Sequence, residues 1–236
     1  MDAMPQRTNT SFDDLVLNPE RRLPCVIVAD RSTSMAGEAI RQLNQGLQLF
    51  HRDLSSDLVA MKRVEVALVT FGPVVVARDF ATIDRFTFPH LDADSDTPIG
   101  EAVLRAIDLV ERRKQVYRTQ GVPYYRPWLL CLTDGCPTDD WQGAAAAVAK
   151  GEKDDKFIFF GLGVDGADFN VLKQLSVRPP LKLEGLDYPS LFLWLSASLR
   201  STSKSQIGSK NATTGMPRTL MVRSEERRVG KECRIG

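Results

Sequence analysis

Three short stretches of this chain carry side chains that could act together. Asp30-Arg31-Ser32-Thr33-Ser34 puts one carboxylate and two hydroxyls on alternate positions, Asp96-Thr97-Pro98-Ile99-Gly100 offers a third hydroxyl, and Thr133-Asp134-Gly135 offers a second carboxylate. Asp30, Ser32, Ser34, Thr97 and Asp134 make an all-oxygen donor set. Such a set suits a hard divalent cation, Mg²⁺ first with Mn²⁺ and Ca²⁺ as alternatives, and suits zinc poorly. Ser, Thr and Asp at the start of a helix also serve as N-caps, and the first stretch taken alone reads equally well that way. Three such stretches, each at the mouth of a helix, favour the metal. No nucleophile–base pair competes. His51 and His90 fall on a helix and in a loop with no matching partner, and no Ser-His-Asp or Cys-His arrangement suggests itself.

The elements that must position these residues follow from the apolar pattern. Cys25-Val26-Ile27-Val28-Ala29 is an unbroken apolar run ending at Asp30, as expected of a strand buried on both faces. Ile40, Leu43, Leu47, Phe50 and Leu54 recur at steps of three and four, one stripe of a helix. Residues 64–71 predict a second strand, Gly72-Pro73 a tight turn, and residues 74–80 an antiparallel neighbour, because so short a connection excludes a parallel crossover. An acid-rich loop over 81–98 leads into a helix burying Ile99, Val103, Ala106, Ile107 and Val110. Residues 128–132 predict a strand ending at Thr133-Asp134-Gly135, with Thr138 or Asp139 as N-cap of the helix that follows. Residues 157–160 are the next strand, 168–175 a short helix, 181–183 an edge strand, and 188–199 a last helix apolar on most of its circumference. Together these predict an α/β, doubly wound (Rossmann-like) fold: a mostly parallel central sheet with one antiparallel edge strand and helices on both faces. Asp30 and Asp134 then stand at the carboxyl ends of strands, where open α/β sheets bind ligands.

The sequence divides into a polar lead-in (1–21), one domain (22–200) and a polar tail (201–236). Within the tail, residues 223–234 resemble the conceptual translation of a sequencing adapter. Without the five Arg/Lys and three Glu of that run, the formal net charge moves from +1 to −1. Either value argues against nucleic-acid binding driven by electrostatics. No apolar run approaches the ~20 residues of a membrane span, and residues 1–24 have no apolar core of the signal-peptide kind. The four cysteines show no framework spacing, and Cys25 and Cys131 fall inside apolar strands, which points to a reducing cytoplasm. Gly161-x-Gly163-x-x-Gly166 matches a dinucleotide fingerprint literally, but in a late strand–helix unit, where it reads better as a strand-end turn. Tyr117, Tyr124 and Tyr125, with Arg118 and Arg126, read as a half-buried loop rather than a partner patch.

D-x-S-x-S, a lone Thr and T-D-G, in that order and at these separations, resemble the metal-ion-dependent adhesion site of von Willebrand factor A domains. At finer grain Leu23-Pro24-Cys25, Leu43-Asn44-Gln45-Gly46-Leu47, residues 134–139 and residues 159–165 are similar to the bacterial TerY-type group, linked to tellurite resistance and stress responses. The resemblance implies that Ser32 and Ser34 ligate the metal directly, that Thr97 joins directly or through water, and that Asp30 and Asp134 act largely through bound waters. It implies a module that docks onto a partner protein, which supplies a carboxylate to the metal, and not an enzyme. It also implies partners among kinase-like and phosphatase proteins encoded nearby, and a last helix that shifts with ligand binding. Two departures from the family pattern are Thr33, where a small residue is usual, and Asp92, Asp94 and Asp96, where the loop is usually rich in Gly and Ser. Those acids favour a basic or mixed partner surface, or alternatively one of them fills the open position at the metal itself. The alternatives are a metal-dependent phosphohydrolase, for which Arg31 is the only basic residue inside the motifs, and a partner subunit of a chelatase- or chaperone-type ATPase, since the chain has no phosphate-binding G-x-x-x-x-G-K-[S/T] loop of its own.

Overall fold

The computed structural model describes residues 18–164 and 166–206. Six strands, β1 (Leu23–Asp30), β2 (Val64–Phe71), β3 (Val75–Thr82), β4 (Trp128–Thr133), β5 (Ile158–Gly163) and β6 (Leu181–Lys182), form one sheet in the order β3-β2-β1-β4-β5-β6. All pairs are parallel except β2–β3, which the Gly72-Pro73 turn makes an antiparallel hairpin. The order reverses direction at β1 and β4, so the carboxyl ends of these two strands flank the switch point of the sheet.

The unbroken apolar runs are explained by helices on both faces. On one face α1 (Glu38–Ser55) and α6 (Tyr188–Lys204) bury Leu43, Leu47, Phe50, Leu191, Phe192 and Leu195 against Ile27, Val66 and Leu130. On the other, α3 (Ile99–Gln120), α4 (Gln142–Lys153) and α5 (Phe169–Leu175) bury Val103, Val110, Val148 and Leu172 against Val28, Val69 and Phe159. β3 is half exposed along its length, as an edge strand carrying Arg78 and Asp79 should be. Cys25 and Cys131 are free and buried, and burial pushes the Cys25 thiol up to about 12, so both behave as small apolar residues.

Several details depart from the sequence pattern. A short helix, α2 (Leu58–Arg63), precedes β2; its N-cap Asp57 accepts from the Val59 and Ala60 amides at 3.0 and 3.1 Å. Gly161 and Gly163 lie inside β5 rather than in a turn, since β5 runs on to Gly163. The last helix continues to Lys204, and residues 18–21 are tied to the domain. Asn18 donates to the Lys62 carbonyl at 2.9 Å, and Glu20 pairs with Arg63 at 2.8 Å. Tyr117 and Tyr125 are buried, Tyr117 donating to Glu65 and Tyr125 to the Ser203 carbonyl at 3.0 Å, but Tyr117 and Arg118 lie in the last turns of α3 rather than in a loop. Residues 1–17 and the 223–234 run lie outside the described residues. Among the described residues no helix is long and apolar enough to cross a membrane.

Candidate metal centre

β1 ends by delivering Asp30, which is fully buried. One carboxylate oxygen accepts the Ser32 amide at 2.8 Å and the other accepts the Thr133 hydroxyl at 2.6 Å, so Asp30 bridges the ends of β1 and β4. The chain then folds into a 3₁₀ turn over Thr33–Met35. That turn brings Ser34 back towards Ser32, with the two hydroxyl oxygens 3.0 Å apart, and Ser34 donates to Asp134 at 2.7 Å. Thr97 is buried at the foot of α3. A β-carbon placed on Gly135 would lie 3.2 Å from the Thr97 hydroxyl and 3.6 Å from that of Ser34, so both hydroxyls flank the Gly135 backbone. The five side chains singled out from the sequence are thus brought together at one sheet edge by three separate connections.

Burial raises the Asp30 carboxyl above its ordinary value, opposed by the hydrogen bonds it accepts from Ser32 and Thr133. Burial also raises Asp134, and the nearby Asp30 charge adds to the shift. Among the described residues no Lys, Arg or His pairs with either acid. Arg31 is turned away, donating to the Asp92 carbonyl at 2.7 Å with its guanidinium 3.9 Å from Asp94. Nor do the described residues gather three or more His, Cys, Asp or Glu side chains that could hold a metal, so a centre here must draw on hydroxyls. Two acids and three alcohols, with no protein cation to balance the acids, fit a hard divalent cation.

Contacts between loops hold this geometry, and sequence reading did not find them. The Thr33 amide and hydroxyl both donate to the Ser95 carbonyl at 3.0 Å, and the Asp94 amide donates to the Arg31 carbonyl at 2.7 Å. Thr33 thus adds a second clasp between the first metal loop and the loop before Thr97. Gly72 has φ +82°, and a β-carbon there would lie 2.6 Å from the Asp94 carbonyl oxygen and 3.0 Å from the Ser32 α-carbon. A residue that reads locally as a hairpin turn therefore also lets these loops close over it. Thr138 and Asp139 do not cap α4, whose N-cap is Trp141; both reach back to the Thr97 loop. Thr133, quoted only as part of T-D-G, is the group that orients Asp30.

With this geometry in place, the fold is that of a von Willebrand factor A domain, as its structural neighbours show. The vWF domain of the type V pili tip protein Mfa5 from Porphyromonas gingivalis superposes with a TM-score of 0.52 at 12% identity, over 79% of this chain and 98% of that one. The pilus adhesin SpaC from Lactobacillus rhamnosus GG gives 0.57 at 14% identity, over 78% and 30%. The ArnB paralog VWA2 from Sulfolobus acidocaldarius gives 0.51 at 14%, over 75% and 45%. The superposed region spans about half the length of the first structures matched, VWA2 among them. No family model and no curated protein matches the sequence.

Proposed function

We propose that this protein is a divalent-metal-dependent protein–protein interaction module, with Asp30, Ser32, Ser34, Thr97 and Asp134 as its metal-ion-dependent adhesion site. The observation that carries this reading is the convergence of one buried and one half-buried carboxylate with three hydroxyls at the switch point, with no basic side chain among the described residues to neutralise them. Ser32, Ser34 and Thr97 would face the ion, while Asp30 and Asp134 would balance its charge from behind. Bound Mg²⁺, or Mn²⁺ or Ca²⁺, supplies an electrophilic position that a partner's carboxylate can fill. Exposed Asp92, Asp94 and Asp96 rim the site, so the partner's carboxylate is best presented among Lys and Arg.

That two structural neighbours are a pilus adhesin and a pilus tip protein supports a binding role by analogy of fold. A binding role rather than phosphoester hydrolysis is also supported by Arg31, whose guanidinium is engaged by the 92–94 loop instead of facing the acids. The TerY-like motifs extend the reading to a cytoplasmic stress-response setting of the tellurite-resistance kind, with kinase-like and phosphatase proteins as partners. Isothermal titration of the full chain with Mg²⁺ and Mn²⁺, beside Asp30→Ala and Asp134→Ala, tests the site. Binding in the parent and none in the two folded variants is expected; a folded parent that binds neither ion refutes the metal dependence. Turnover of a generic phosphate ester with Mg²⁺ present would replace this reading with the phosphohydrolase.

A further inference from the structure

The loop between β4 and α4 does something that neither the three metal motifs nor the proposed function assigns. Because the N-cap Pro98 has no N–H, the first turn of α3 leaves three amides, those of Ile99, Gly100 and Glu101, without helical acceptors, and Pro98 has no hydrogen-bonding side chain to offer them. Asp139 serves instead from across the site: its two carboxylate oxygens accept the Gly100 amide at 3.1 Å and the Glu101 amide at 2.8 Å. Its neighbour Thr138 forms a reciprocal pair with the metal-site threonine. The Thr97 amide donates to the Thr138 hydroxyl at 3.1 Å, and the Thr138 amide donates to the Thr97 carbonyl at 3.0 Å. The two loops are so close that a β-carbon on Gly100 would lie 2.7 Å from the Asp140 carbonyl oxygen and 2.8 Å from the Trp141 α-carbon. Thr97, at the end of one connection, and Asp134, at the start of the other, are therefore held in fixed relation by a four-bond seam.

We propose that Asp139, aided by Thr138, is a positioning residue that sets the Thr97 hydroxyl against Asp134 before any ion arrives. The inference rests on the metal-site reading and adds residues to it. Asp139 acts through its acceptor oxygens, as an N-cap supplied from another loop, and not by lending charge to the ion. An asparagine still offers one such oxygen; an alanine offers none.

The test uses the full chain as parent, Asp139→Ala and Asp139→Asn, with two readouts: Mn²⁺ and Mg²⁺ affinity by titration calorimetry, and amide hydrogen exchange of Gly100 and Glu101 without metal. Asp139→Ala is expected to speed exchange at both amides and to weaken ion binding about fivefold to tenfold, the equivalent of one lost cap. Asp139→Asn is expected to restore affinity to within about threefold of the parent. Parent-like affinity in Asp139→Ala, even with a lowered unfolding midpoint, would show a cap without influence on the site and overturn the proposal. So would an Asp139→Asn variant that binds as weakly as Asp139→Ala while Gly100 and Glu101 exchange at the parent's rate, because that outcome assigns the effect to charge. A folded parent that binds no ion is the separate failure of the metal reading, and it removes this inference with it.

Discussion

Gly135→Ala adds one methyl group between two of the candidate hydroxyl donors, and the structure fixes how far it intrudes. The new carbon would lie 3.2 Å from the Thr97 hydroxyl, 3.4 Å from its methyl and 3.6 Å from the Ser34 hydroxyl. Only the first is tighter than ordinary contact, so Thr97 must retreat by a few tenths of an ångström while Ser34 stays. Gly135 is not among the residues of positive φ, so alanine enters without backbone strain and the effect is steric. Mg²⁺ demands near-octahedral oxygens at about 2.0–2.1 Å, whereas Ca²⁺ accepts irregular shells at about 2.3–2.6 Å. Losing one well-placed donor to an ion costs about 1.5–3 kcal/mol, which is about tenfold to a hundredfold in affinity. Mg²⁺ binding should fall by that factor, and Ca²⁺ binding by much less. Calorimetric titration with each ion reads the two constants, and thermal unfolding confirms that the variant folds. Undiminished Mg²⁺ binding would refute a role for Thr97 at the ion. Equal losses for both ions would refute the steric argument and point to a general distortion of the loop.

Two further predictions concern pH and packing. Burial raises the carboxyls of Asp30 and Asp134 above their ordinary values, so the metal-free native state holds protons that the unfolded chain releases. The pair's contribution to stability is therefore present below the ordinary carboxylate range and is lost as pH rises through the raised values. An ion that needs both acids ionised reverses the sign, so the rise in unfolding temperature caused by Mg²⁺ should shrink as pH falls through the same window; a pH-independent increment would place the ion elsewhere. Leu195 is fully buried between α6 and the sheet, so Leu195→Ala should cost about 2–5 kcal/mol in denaturant unfolding. A cost below about 1 kcal/mol would mean that the α6 face is looser than drawn.

The fold was legible because its cues are local. The unbroken apolar strands, the three-and-four stripe of α1 and the short Gly72-Pro73 link each dictate a structure with little help from the rest of the chain, and β2 falls on the residues expected, Val64–Phe71. The candidate site residues could be picked out for the same reason, since each lies in a compact motif at the end of an element. What the motifs do not encode is the contact between one loop and another. Thr138 and Asp139 have the right chemistry and spacing to cap α4, and sequence distance favours that reading, yet Thr138 spends its oxygen on Thr97 and Asp139 its two on the first turn of α3, about 40 residues earlier.

Gly72 shows the same limit from the other side, because its value lies in what Asp94 and Ser32 can approach only when no side chain is there. The loop-to-loop bonds together tie the Asp30–Ser34 loop to the 92–97 loop and that loop to the Asp134 connection. On the proposed reading the ion would relieve the charge of the buried Asp30 and the half-buried Asp134, and partner docking would depend on that step.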